Sequence, residues 1–266
     1  IKKTKVKTPF GLPSDTILSA KFKNISLNFL PRHGKYHNIA PHKINYRANI
    51  YALKKLGVTD IVSVSAVGSL KKKLRPGNFV LVDQFVDRTV GRKNTFFENS
   101  CVAHVSLANP VSNQLVDLIY KSCPNNLKIK KGGTYIAIEG PQFSSYAESL
   151  LYKSWNCDVI GMTNMPEARL AREAEMGYST IAMVTDYDCW HEDHESVTVG
   201  EIISTMNKNT KNVKQLLKSI FEKLENLKKW NWNDASYSCL KGAIITNINN
   251  VSKEDKKKLS LFLDKK

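Results

Sequence analysis

Six short apolar runs punctuate the chain: ISLNFLPR at 25–32, DIVSVSAV at 60–67, FVLVDQFV at 79–86, TYIAIEG at 134–140, VIGMT at 159–163 and YSTIAMVTD at 178–186. Most are apolar almost throughout rather than alternating. That pattern predicts strands buried on both faces, as in a sheet covered by helices. Between them the apolar spacing turns helical, at 45–57, 113–122, 147–155 and 166–177, and again over a long stretch from Val199 to about Lys229. The segment at 166–177 opens on proline and closes on glycine, the expected helix punctuation. Strands alternating with helices imply an α/β class with a mixed, largely buried central β-sheet flanked by helices. No repeat or Gly/Ser linker divides the chain. One domain is expected over residues 1–232, followed by a lysine-rich C-terminal tail at 233–266.

Composition changes this picture little. A chain of 266 residues that is 42% apolar can bury a substantial core. No apolar run reaches the roughly 18 residues of a membrane helix, and the first residues lack the apolar stretch of a signal peptide. Five scattered cysteines without a C-x-x-C pair read as free thiols of a reducing cytosol. The formal charge of +16 raises the question of nucleic acid, but only 7 of the 40 basic residues are arginines. The lysines are dispersed or gathered near the C-terminus, and no basic face alternates with aromatics for base stacking. A solvated lysine-rich surface is the expectation, with no nucleic-acid and no membrane partner.

Candidate chemistry gathers at the carboxyl ends of the predicted strands, where loops converge in α/β sheets. In LPRHGKYH, Arg32 supplies a rigid multi-donor fork suited to an oxyanion, with His33 beside it and His37 four residues on. In SVSAVGSL, small residues with Ser65 and Gly68 let backbone N–H groups and a hydroxyl face an anion, or simply make a tight packing turn. In EGPQFSSYAES, Ser145 and Glu148 have capping-box spacing, while Phe143 is either a base platform or a core residue. The sharpest signal is MVTDYDCW, in which Asp186 and Asp188 stand at the mouth of a dry strand. A desolvated carboxyl has a raised pKa and suits a general acid or an acceptor for an amino group. An N-cap explains one such aspartate more easily than two. Cys189, His191, His194 and Asp188 have neither paired-cysteine nor H-E-x-x-H spacing, so no metal is expected.

Taken in order, PRHGKYHNIAPHKINYRANIYALKKLG, SVSAVGSL, PGNFVLVDQFVDRT, IEGPQFSSYAES, MTNMPEARLAREAE and MVTDYDCWHEDHESVTV resemble the trimeric purine nucleoside phosphorylases, within them the branch acting on S-methyl-5′-thioadenosine. The likeness runs from about Thr8 to about Leu217. It implies phosphorolysis of methylthioadenosine to adenine and 5-methylthioribose 1-phosphate, in purine and methionine salvage. Inorganic phosphate would be the co-substrate, with no cofactor, in a cytoplasmic homotrimer. By similarity, Arg32, His33, Ser65 and Thr163 would hold phosphate, and Ala66 and Met162 would lie against the ribose. Phe143, Ser144 and Thr185 would border the base, and Val199, Ile202 and Ile203 would form a slot for the methylthio group. His104 would reach a neighbouring subunit's pocket. Asp186 would protonate N7 of the leaving adenine and Asp188 would accept from its 6-amino group. The alternatives are a phosphorylase of different base or 5′ preference and a catalytically impaired nucleoside-binding homologue. Gly161 and Asn164-Met165 depart from the family pattern. The family's opening strand and glycine-rich phosphate loop have no counterpart before Thr8, so the fold is expected to lack them.

Overall fold

The computed structural model describes residues 1–191, 199–227, 230 and 234–263. In chain order its elements are β1 (Lys2–Thr4), β2 (Ile17–Phe22), β3 (Ile25–Phe29), α1 (Tyr46–Lys55), β4 (Asp60–Ser69), β5 (Phe79–Val82), β6 (Gln84–Arg88), α2 (Asn113–Lys121), β7 (Ile129–Lys131), β8 (Thr134–Ile138), α3 (Tyr146–Ser154), β9 (Val159–Gly161), α4 (Asn164–Glu173), β10 (Gly177–Asp186), α5 (Val199–Glu225) and α6 (Lys253–Leu263). Seven strands form a mixed sheet in the order β6-β8-β9-β4-β10-β5-β7. This is the buried, helix-flanked sheet that the apolar runs predict.

Strand β10 is its axis. Every residue from Gly177 to Thr185 is buried, so side chains of both alternating sets meet protein. It lies parallel to β4 on one side and antiparallel to β5, itself wholly buried, on the other. Each fully buried aliphatic side chain here contributes on the order of 1.5–3 kcal/mol.

Two predicted strands differ from expectation. Residues 79–86 form two strands rather than one, broken at Asp83. The Asp83 carboxylate accepts the Gly133 N–H at 3.0 Å, while the backbone N–H groups of Asp83 and Gln84 donate to the Gly133 carbonyl at 3.1 and 3.3 Å. Four strands of the ladder separate β5 from β6, yet one residue links them. Consecutive Cα atoms are only about 3.8 Å apart, so the sheet must curl until these two positions meet. Residues 25–32 also leave the central sheet. Ser26 and Asn28 interrupt the apolar run, and β3 pairs antiparallel with β2 in a separate three-stranded sheet. That sheet leans on α5 through Phe22 and Phe221, whose ring centroids lie 5.9 Å apart.

Caps fix the helix starts. Asn45 accepts from Ala48 N–H at α1 and Ser112 from Leu115 N–H at α2. At α3, Ser145 and Glu148 form the predicted capping box, with both reciprocal bonds made. The lysine-rich segment beyond residue 233 packs on the same core: Phe262 of α6 lies 4.6 Å from Phe96 and 5.7 Å from Tyr51, ring centre to ring centre. No helix among the described residues is long and apolar enough to cross a membrane.

Candidate active site

The parallel register of β4 and β10 brings two sequence candidates together. It runs from Gly177 opposite Asp60 to Val184 opposite Val67, then slips at a bulge so that Asp186 faces Gly68. A Cβ at position 68 would stand 3.0 Å from Asp186 Oδ2, so the glycine leaves the carboxyl its room. Asp186 Oδ1 is 2.6 Å from the Thr185 hydroxyl, and Oδ2 accepts the Asp188 N–H at 2.9 Å. Asp188 adopts a left-handed backbone, φ +53°, and accepts a hydrogen bond from the Ser149 hydroxyl on α3. Among the described residues no lysine or arginine pairs with either carboxylate. Burial is the main cause that pushes both pKa values up. The Thr185 hydroxyl also lies 3.2 Å from the Val67 carbonyl.

The other half of the site is built of hydroxyls and one arginine. Arg32 faces Glu167 with both carboxylate oxygens at 3.1 and 3.2 Å from Nη1, while Nη2 donates to Ser63 Oγ at 2.9 Å and the Val64 carbonyl at 2.6 Å. Burial works against the guanidinium charge, but the Glu167 carboxylate holds its pKa above the ordinary value. Glu167 also accepts from Tyr178 Oη at 2.9 Å. Ser65, one residue beyond Val64, is buried with Oγ 3.4 Å from Thr163 Oγ1. Thr163 precedes α4 in the N-cap position, yet its side chain makes no capping bond. Ala66 is exposed beside Ser65 on the open side of β4. His33 is joined to the Ile39 carbonyl through Nδ1 at 2.9 Å and stacks on His37 at 4.4 Å. Burial lowers its pKa, so the imidazole stays neutral to lower pH than usual.

The remaining candidates are less tightly drawn in. Phe143 is 61% exposed, so within this chain it is not a core residue. Among the described residues the Ser144 hydroxyl is buried without a hydrogen-bond partner, and the Ser144 carbonyl accepts from Cys189 Sγ at 3.4 Å. His104 is exposed, its backbone N–H donating to the Ala243 carbonyl at 2.8 Å. Ile202 is half-buried and Ile203 is 52% exposed on the first turns of α5. The side chain of Val199 and all of His194 lie outside the described residues. His191 stacks on Tyr187 at 4.5 Å.

Four contributors were not singled out in the sequence: Glu167, Ser149, Tyr135 and Arg92. Arg92 has only 3% of its side chain exposed. It donates to the carbonyls of Met162 at 2.8 Å, Met165 at 2.7 Å and Glu139 at 2.6 Å, and to Tyr46 Oη at 3.1 Å. One guanidinium therefore pins the loop before α4, which holds Met162 and Thr163, to the loop after β8, which leads to Phe143. Gly140 permits that approach: its φ is +65°, and a Cβ there would stand 2.5 Å from Met162 Sδ.

Carboxyls at the end of β10 and a cluster of hydroxyls with one arginine thus lie on neighbouring elements of one sheet. Residues 2–222 match the family described as Phosphorylase superfamily, and the chain belongs to that family. It is 51% identical over 242 residues to S-methyl-5′-thioadenosine phosphorylase of Rhodospirillum rubrum, covering 91% of this chain and 82% of that one. It is 46% identical over 269 residues to the protein of the same description from Koribacter versatilis, covering 100% and 90%. Among solved structures, a methylthioadenosine phosphorylase sourced from an antarctic soil metagenomic library superposes with a TM-score of 0.92 at 41% identity, covering 98% of this chain and 92% of that one. A methylthioadenosine phosphorylase from Schistosoma mansoni in complex with adenine gives 0.85 at 34% identity, covering 91% and 92%.

Proposed function

We propose that this chain cleaves S-methyl-5′-thioadenosine by phosphorolysis, with inorganic phosphate as co-substrate and no cofactor. One observation carries the reading. Asp186, at the end of β10 opposite Gly68 of β4, is a carboxyl whose pKa burial pushes up, and Ser65, three positions before Gly68 on the same strand, sets its hydroxyl 3.4 Å from that of Thr163. A phosphate oxygen attacks the anomeric carbon of the ribose as the bond to adenine N9 breaks. The bonding pair leaves with the base, and Asp186 delivers its proton to N7. General acid assistance of this kind is worth about 10²–10⁴ in rate. Asp188, held by Ser149, accepts from the 6-amino group, which favours adenine over a 6-oxopurine. Arg32, His33, Ser65 and Thr163 hold the phosphate; Ala66 and Met162 line the ribose; Phe143, Ser144 and Thr185 border the base. Ile202 and Ile203, on the first turns of α5, receive the methylthio group. The exposure of Phe143 and His104 supports a homotrimer in which a neighbouring copy completes each pocket, working in the cytoplasm.

The test is adenine release from methylthioadenosine with and without phosphate, beside adenosine and inosine. We expect release that requires phosphate and prefers methylthioadenosine. Release of adenine at the same rate without phosphate would make the protein a hydrolase and sink this reading.

A further inference from the structure

We infer that Tyr135 is a positioning residue of the anion corner. Its phenol holds Ser65 and the Thr163 backbone so that the Ser65 and Thr163 hydroxyl protons remain free for an oxyanion, and Gly161 is what makes room for it. The inference rests on phosphorolysis as the reaction, in taking that oxyanion to be inorganic phosphate.

Tyr135 lies in β8 and is fully buried. The Thr163 N–H can only donate, and it points at Tyr135 Oη from 3.4 Å. Ser65 Oγ stands 3.5 Å from the same phenol oxygen, and burial pushes the tyrosine pKa up, so the phenol keeps its proton. The other neighbours of Ser65 Oγ, the Ala66 carbonyl and Thr163 Oγ1, both stand at 3.4 Å, so all three contacts are longer than the usual ~2.7–2.8 Å of a hydroxyl bond. Thr163 does not cap α4. Two hydroxyls thus sit beside each other with weakly engaged protons, the state in which an entering anion binds without first breaking good bonds. The phenol gains its place through Gly161. A Cβ there would stand 2.0 Å from Tyr135 Oη and 2.6 Å from Cζ, closer than real atoms approach. Any side chain at 161 would expel the phenol from the hydroxyl pair, so Tyr135 and Gly161 form one device. A tyrosine that merely filled the core would need its ring and not its oxygen.

The test is Tyr135→Phe, which keeps the ring and removes the oxygen. Binding of inorganic phosphate to the intact protein is read by calorimetry, and Michaelis constants are read for both substrates. We expect phosphate affinity to fall about tenfold, the effect of one hydrogen bond. The KM for methylthioadenosine should stay within about twofold, while the unliganded Tm should fall modestly, because the buried Thr163 N–H loses its acceptor. A cycle with Ser65→Ala keeps the proposal exposed: adding Tyr135→Phe to that variant should cost less than half of its effect alone. Unchanged phosphate affinity in Tyr135→Phe overturns the inference while leaving phosphorolysis standing. So does an equal loss for both substrates, or full additivity with Ser65→Ala. A wild-type protein that binds no phosphate overturns both this inference and the reading beneath it.

Discussion

The two clusters of the candidate site handle charge in opposite ways. In the anion half, the carboxylate of Glu167 is met by both of its oxygens on Arg32, at 3.1 and 3.2 Å. In the base half, Asp186 and Asp188 are held by hydroxyl and amide donors, and among the described residues no lysine or arginine pairs with them. A cation beside a carboxylate fixes its negative charge; burial without one favours the proton. In the proposed reaction the first arrangement would keep a guanidinium charged beside the oxyanion, and the second would supply the acid that protonates the leaving base. Asp186→Asn breaks this contrast most severely, because it substitutes a fixed amide for the transferable proton. We expect kcat for adenine release to fall by about 10²–10³, with a smaller loss on a 6-oxopurine nucleoside. Equal losses on both substrates would show that Asp186 is not the acid that serves adenine. Because its pKa is raised, the wild-type acid form persists to higher pH than an ordinary carboxyl. Activity should then decline as pH rises through that value, and this decline should vanish in Asp186→Asn.

A further buried carboxyl sharpens the comparison away from the chemistry. Glu173 closes α4, the helix that Thr163 precedes, and burial pushes its pKa up to about 7 despite donors from Thr95 and Phe96. Its folded pKa lies above the ordinary value of 4.5. The folded state therefore binds the extra proton between those two values, and stability is lost as pH rises through about 7. The full effect is roughly 3 kcal/mol. Between pH 5 and pH 8 the wild-type protein should lose more stability than Glu173→Gln, measured by urea midpoint. The same loss in both would show that Glu173 does not titrate in that range.

Much of this was legible in the sequence because burial on both faces leaves a uniform apolar run. Strand β10, its terminal aspartates and the Ser145–Glu148 capping box all follow from local pattern. The break at Asp83 was not legible: FVLVDQFV reads as one strand, and only the distant Gly133 divides it. Ser26 and Asn28 likewise look tolerable in a strand until β3 is seen on a different sheet. At the site, residues at strand ends announced themselves, whereas Arg92, Glu167 and Tyr135 did not. Each acts through partners dozens of positions away, such as Arg92 on Met162 and Tyr135 on Ser65, and no periodicity encodes such a pairing.

The smallest expected effect probes the finer half of the contrast, the division of labour between the two aspartates. Ser149 is fully buried on α3, and its hydroxyl is the side-chain donor that keeps Asp188 nearer its ionised, accepting form. Removing that donor raises the Asp188 pKa further and turns an acceptor for the 6-amino group into a competing donor. Ser149→Ala should therefore lower the ratio of kcat/KM for methylthioadenosine over its 6-oxo analogue by about tenfold, since a hydrogen bond to a charged group is worth on the order of 1.5–3 kcal/mol. The pH dependence assigned to Asp186 should remain. A reduced rate on both substrates with the ratio unchanged would mean that Asp188 serves only to orient Asp186 through its backbone N–H, and that the 6-position is read elsewhere.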